Sequence, residues 1–191
     1  MSTVPKSYLS LEQYLAIERD RKYKSEYFAG EMFAMAGATE NHNLIASNVN
    51  RILGQQLRDR PCKVYMSDMR VEVRATGLCT YPDASVVCGT AEFLDDVRDT
   101  HLNPQVIVEI LSPSTESCDR GKKFEHYRKI DSLQEYVIIS QDRMLLECFS
   151  REPNGRWILS EANGPGQSLH LPSIDCSLPA EEVYLKVALD G

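Results

Sequence analysis

Long hydrophobic runs are missing from this chain. The uninterrupted apolar stretches last a handful of residues, as at Val106 to Val108, whereas a membrane-spanning helix needs about 20. Met1 to Tyr14 hold one lysine and no apolar segment of signal-peptide length, so a cytoplasmic protein without a membrane partner is expected. An excess of positive charge is missing too: 21 Lys and Arg against 28 Asp and Glu leave a formal charge of −7. That excludes the basic footprint of a protein that coats nucleic acid. It does not exclude a nuclease, whose active site needs only a local basic patch and can recruit a metal to meet phosphate. The six cysteines (Cys62, Cys79, Cys88, Cys118, Cys148, Cys176) form no CxxC pair and no zinc-ribbon spacing. Cys88 and Cys148 close apolar strand-like runs, where a thiol packs as a small hydrophobe. Reduced cysteines are therefore expected. No glycine-rich phosphate loop is present, since Gly164-Pro165-Gly166 reads as a turn. No GxSxG supports a serine nucleophile, so Ser112 and Ser114 read as part of a turn before a helix.

What is present is an ordinary globular composition, 42% apolar and 26% charged over 191 residues. One domain spanning 1–191 is expected, without repeats or linkers. Ser10-Leu11-Glu12-Gln13 reads as a capping box opening a short helix through Glu18. Tyr23 to Ala36 reads as a hairpin around Ala29-Gly30. Asn41 to Leu57 has apolar residues at helical spacing and is the first long amphipathic helix. Strands are expected at Val64–Met66, Val71–Val73, Ser85–Cys88, Val106–Leu111, Glu135–Ser140, Leu145–Phe149, Trp157–Ser160 and Ser168–Leu171. Asp119 to Ile130 returns to helical period, and Ser177 to Glu181 starts a last short helix. The expected class is α/β or α+β, a mixed layer fold built on one sheet.

The segment Val106-Ile107-Val108-Glu109-Ile110-Leu111 carries the anomaly. Both side-chain sets of this strand are apolar, so both faces are expected to be covered. A lone carboxylate there costs several kcal/mol unless it is protonated, paired or bound to a metal. Glu109 either reaches solvent or an arginine from near the strand end, or serves a site. Tyr81 to Cys88 begins a strand with Pro82, a first-residue or edge position, and Asp83 shares one face of it with Ser85 and Val87. If that strand lies beside the Glu109 strand, the two carboxylates converge on one cation, and Mg²⁺ suits two such oxygens plus waters. At about 100° per residue, Phe124, Tyr127 and Ile130 form the inward stripe of the following helix, and Lys123 lies inside it. Lys123 either neutralises Glu109 as an ion pair or helps to position water and steady charge on a phosphate. Arg120 to Lys129 hold five basic residues and one acidic one, a local basic patch in an acidic protein.

Asp83, Glu109 and Lys123 together resemble the PD-(D/E)XK nuclease superfamily. More closely, the chain is similar to the Uma-type restriction endonuclease family. The resemblance is carried by Glu26 with Tyr27-Phe28-Ala29-Gly30-Glu31, His42, Tyr81-Pro82-Asp83-Ala84-Ser85, Val108-Glu109-Ile110-Leu111-Ser112-Pro113-Ser114-Thr115, Asp119-Arg120-Gly121-Lys122-Lys123-Phe124 through Tyr127, and Glu135-Tyr136. It runs from about Tyr8 to Val183. It implies a restriction-endonuclease-like core, a central mixed sheet flanked by helices, with an N-terminal helix and hairpin. It also implies Mg²⁺ (or Mn²⁺) held by Asp83, Glu109 and the backbone carbonyl of Ile110, and DNA cleaved by metal-activated water. The superfamily lysine two residues after the glutamate is replaced here by Leu111. The family places its lysine on the next helix, where Lys123 fits and Lys122 is its neighbour. Glu26 and His42 match the family pattern and could reach the metal or a water, and Tyr127 is core with its hydroxyl in the site. A homodimer would present two sites to two strands. A non-catalytic interaction module on the same scaffold is the alternative, as is a hydrolase of another phosphate ester.

Overall fold

The structure is a computed structural model that describes residues 8–112 and 116–189. The Pro113-Ser114-Thr115 part of the expected turn lies outside the described residues. Helix α1 (Leu11–Asp20) opens on the expected capping box: the Ser10 hydroxyl accepts from Gln13 N, and Gln13 Oε1 accepts from Ser10 N at 2.8 Å. It buries Tyr14, which stacks on Tyr27 with centroids 5.0 Å apart and donates its hydroxyl to the Ser25 carbonyl. Strands β1 (Ser25–Phe28) and β2 (Glu31–Ala34) form the hairpin. Its turn takes Ala29 and Gly30 through φ of +50° and +84°, the left-handed pair that matches strand twist. Helix α2 (Glu40–Gln56) is capped by Thr39 and buries Ile45, Val49, Ile52 and Leu53.

Strands β3 (Cys62–Met66), β4 (Arg70–Val73), β5 (Leu78–Thr80), β6 (Ala84–Cys88), β7 (Thr100–His101) and β8 (Val106–Leu111) follow. Next come α3 (Glu116–Cys118), a π turn (Asp119–Lys123), α4 (Phe124–Tyr127), β9 (Glu135–Ser140), β10 (Leu145–Arg151), β11 (Trp157–Asn163), β12 (Ser168–Leu171), β13 (Cys176–Pro179) and α5 (Ala180–Val183). A six-stranded mixed sheet, β11-β10-β9-β8-β6-β3, forms the centre. Strand β8 is parallel to β9 and antiparallel to β6. All six residues of β8 are buried. Val106, Val108 and Ile110 pack toward α2, while Ile107 and Leu111 pack toward Tyr127, Ile130, Val71 and Val73. Glu109 alternates onto that second face.

Covering that face takes more than a helix, and here the single-sheet expectation is corrected. A separate five-stranded sheet, β2-β1-β5-β4-β7, supplies Val71 and Val73 to it. Ser168–Leu171 does not extend the central sheet either. It pairs with β13 in a hairpin whose alternate residues Leu169 and Leu171 are buried against the α2 side. The last helix begins at Ala180 and not at Ser177, because Ser177 to Pro179 belong to β13.

The helical period at Asp119 to Ile130 ends early, with Ile130 in the turn after α4, and it begins as a π turn. The expected inward set survives: Lys123, Tyr127 and Ile130 are buried and Phe124 is half-buried. The basic run is dispersed by the same geometry. Arg120 turns to Glu116 and Glu147, Lys123 turns inward, and Lys122, Arg128 and Lys129 are exposed. The reduced-cysteine expectation is also corrected, because Cys62 and Cys88 stand opposite each other in the β3–β6 register and are joined by a disulfide. Cys79, Cys118, Cys148 and Cys176 are free. Among the described residues, no helix is long and apolar enough to cross a membrane.

Candidate active site

The β6–β8 register pairs Ala84 with Val108, and continuing it one step sets Asp83 beside Glu109. Asp83 is locked there, its Oδ2 accepting from the Ile110 N–H at 2.7 Å. Its Oδ1 lies 3.3 Å from His42 Nε2 on the first turn of α2. His42 therefore bonds outward from its helix to the site; the local partner of Thr39 is only its backbone N–H. Burial disfavours the His42 charge, but the hydrogen bond to Asp83 together with the negative charges of Asp83 and Asp119 raises the imidazole above its ordinary pKa.

Lys123 reaches in from the opposite side. Its Nζ lies 3.2 Å from Glu109 Oε1, 3.0 Å from Glu26 Oε1 and 3.2 Å from Asp119 Oδ1. Tyr127, one turn on, donates its hydroxyl to Glu109 Oε1 at 2.7 Å. Glu26 projects from β1 and also accepts from Thr80 Oγ1 at 2.5 Å. Burial pushes Glu109 up to about 8, against the pull of Lys123 and with the help of Asp119 and Asp83. Burial also works against the Lys123 charge, but Glu109, Glu26 and Asp119 prevail and hold its pKa well above the usual lysine value. The ammonium thus stays charged and is the fixed cation of the cluster.

The site residues expected from the sequence come to one place. Glu26, His42, Asp83, Glu109, Ile110 and Lys123 line a cleft of about 1070 Å³, with Tyr127 buried behind Glu109. Asp119 was missed. It is 2% exposed, its Oδ1 is held by the ion pair with Lys123, and its carbonyl accepts from the Tyr136 hydroxyl. Its place four residues before Lys123 was a readable signal, since that spacing puts two helical side chains on one face. Thr80 was also missed, and its three-residue strand has no legible period. Gln141 lines the cleft too, its Oε1 accepting from Thr39 Oγ1 at 2.5 Å.

The donors are carboxylate oxygens, the chemistry that hard divalent cations take. Among the described residues no three His, Cys, Asp or Glu side chains are spaced to hold an ion by themselves. Mg²⁺ does not require three, because it keeps several waters and binds through one or two carboxylates. Asp83 and Glu109 fit that need.

With this geometry in view, the match to known proteins is informative. The Uma2 family, described as "Putative restriction endonuclease", matches residues 11–181. The chain belongs to the Uma2 family. Two relatives come from Synechocystis sp. (strain ATCC 27184 / PCC 6803 / Kazusa). The uncharacterized protein sll1609 is 35% identical over 156 residues, 82% of this chain and 88% of its own length. The uncharacterized protein slr1290 is 32% identical over 180 residues, 94% of this chain and 93% of its own. A crystal structure of a putative nuclease belonging to DUF820 from Anabaena variabilis ATCC 29413 shares the Uma2 chain's fold. It superposes with a TM-score of 0.76 at 18% identity, over 92% of this chain and 97% of that one. The restriction-endonuclease-like α+β architecture expected from the sequence is thus the observed one.

Proposed function

We propose that this Uma2 protein is a metal-dependent endonuclease that hydrolyses phosphodiester bonds in DNA. One observation carries the reading: Asp83 just before β6, Glu109 on β8 and a buried charged lysine, Lys123, converge on one cleft. Asp83 and Glu109 would hold Mg²⁺ or Mn²⁺, with the Ile110 carbonyl as the backbone ligand the family implies. Bound there, the ion supplies an acidified water and neutralises charge at the scissile phosphate.

The rest of the cluster divides the work. Lys123 offers N–H donors to charge that develops as the water oxygen bonds to phosphorus and the bond to one sugar oxygen breaks. Glu26 and Asp119 hold that ammonium in place. Tyr127 fixes Glu109, and His42 fixes Asp83, so both carboxylates are oriented before anything binds.

A second reading is a non-catalytic interaction module. It is favoured by the ion pairs themselves, which already neutralise the buried carboxylates through Lys123. The two readings part in one experiment. Purified protein is incubated at low salt with supercoiled plasmid, single-stranded DNA and RNA, in Mg²⁺, Mn²⁺ or chelator, beside Asp83→Ala and Lys123→Ala. Metal-dependent cleavage lost in both variants, with circular dichroism showing them folded, supports the enzyme. No cleavage of any polymer by the parent, and no shift of its melting midpoint by metal, replaces it with the module.

A further inference from the structure

The cleft has an outer wall that the hydrolytic chemistry does not use. Tyr23 stands on it at 83% exposure, between α1 and β1, and Met66 at the end of β3 stands on the same cleft at 58% exposure. Two large apolar side chains open to water would need no comment if scattered, but these line the same cleft as Asp83, Glu109 and Lys123. They are also fastened together. Lys24, the residue after Tyr23, donates to the Ser67 carbonyl at 2.8 Å and pairs with Asp68 Oδ1 at 2.5 Å, both on the turn that follows Met66. The aromatic ring is therefore carried on a pinned segment, and exposed Lys22 flanks it on the other side.

The surface offers little to a duplex. The net charge is −7, and several arginines are already engaged: Arg19 with Asp95 and Asp99, Arg51 with Glu182, Arg60 with Asp175, Arg120 with Glu147. Duplex affinity rests mainly on phosphate neutralisation by free Lys and Arg. Unpaired bases add stacking on aromatic rings, about 1–3 kcal/mol per base, which a duplex with its bases stacked inside does not offer. A cleft of about 1070 Å³ is at the upper size of pockets that enclose a ligand, suited to a few splayed nucleotides.

We infer that the polymer entering this cleft is unpaired single-stranded DNA, one base of which stacks on Tyr23 while Lys22 meets the adjoining phosphate. This rests on the nuclease reading and names its substrate form. The test measures binding and cleavage separately. Anisotropy of a labelled thymidine oligonucleotide, the same strand in duplex, the strand carrying one abasic residue, and a uridine oligonucleotide is read in chelator for the parent, Tyr23→Ala and Tyr23→Phe. Cleavage of the same set is read in Mg²⁺.

The expected result is single strand preferred over duplex by about tenfold or more, the worth of one or two stacked bases. Tyr23→Ala should raise Kd and KM about tenfold with kcat little changed, and Tyr23→Phe should behave as the parent. An abasic residue scanned along the strand should, at one position, cost the parent about the same and Tyr23→Ala nothing more. Equal affinity for duplex, or binding indifferent to Tyr23→Ala, overturns this inference and leaves the nuclease reading standing. Tighter binding of uridine than thymidine overturns DNA as the strand. Absence of cleavage by the parent overturns the nuclease reading, while Tyr23-dependent binding of the single strand would still uphold the stacking site.

Discussion

Replacing Lys123 by Met removes the single charge that faces Glu26, Glu109 and Asp119 at 3.0–3.2 Å. Glu109 and Asp119 are 4% and 2% exposed, so water cannot take over the role of the ammonium. Removing one partner of a buried ion pair costs about 3–5 kcal/mol, because the other is left uncompensated. For a chain of this size that is a fall in Tm of roughly 6–20 °C, at about 2–4 °C per kcal/mol. Above about pH 8, where Glu109 is ionised, the double variant Lys123→Met with Glu109→Gln removes both charges of the Lys123–Glu109 pair. It should recover about 1 kcal/mol or more of the single variant's loss. Urea unfolding followed by far-ultraviolet circular dichroism measures all of them. Lys123→Arg keeps the charge on a larger, planar group, so it should lose less stability than Lys123→Met yet still lose metal-dependent cleavage. A single variant that loses under about 1 kcal/mol, with strictly additive effects in the double, would refute the placement of Lys123 as the counter-charge of the cluster. Full cleavage by Lys123→Arg would refute a positional role for its ammonium.

Three other outcomes follow from groups remote from the cleft. His101 is fully buried and bonded to Ser85 at 3.2 Å, with its Nδ1 unpartnered, and burial pushes it down from 6.5 to about 4. Its neutral form is favoured by folding, so its contribution is complete above pH 6.5 and is lost as pH falls from 6.5 to about 4. At about 1.4 kcal/mol per pH unit the loss totals roughly 3 kcal/mol, and urea midpoints in His101→Leu should lack that part of the acid slope; an unchanged slope would sink the argument. At the hairpin turn, Gly30→Ala would put a Cβ 2.6 Å from Tyr8 Cβ at a φ of +84°, so it should cost about 2 kcal/mol or more. Ala29→Gly should be neutral or gain up to about 1 kcal/mol by relieving a φ of +50°, both read as shifts in urea midpoint at constant slope.

The candidate site was legible wherever chemistry and local period coincided. Glu109 stood out because a carboxylate is out of place in a strand apolar on both faces. Lys123 stood out because helical spacing put it in the stripe of Tyr127 and Ile130. Asp119 carried the same i,i+4 signal toward Lys123. The corrected points share a different cause. The Cys62–Cys88 bond depends on which strands pair and in what register, and a sequence separation of 26 hides that from any local pattern. The second sheet depends on β5 and β7, of three and two residues, too short to show a period of two. The basic run looked like one patch on paper, but successive helical residues diverge by about 100°, and Arg120, Lys122 and Lys123 end on different surroundings.

The sequence by itself therefore determined the longer helices and strands, the turn at Ala29-Gly30, the capping of α1 and the identity of the polar residues placed among apolar ones, because each is written in neighbouring side chains. Tertiary structure alone decided that Glu26, His42, Asp83, Glu109 and Lys123 meet. Antiparallel pairing of β6 with β8 brings two distant carboxylates side by side, and packing of the 116–127 segment against β8 carries the lysine to them. Tyr23 shows the same division. Its exposure followed from no pattern in the chain, and only the fold puts that ring on the wall of the cleft that the carboxylates also line.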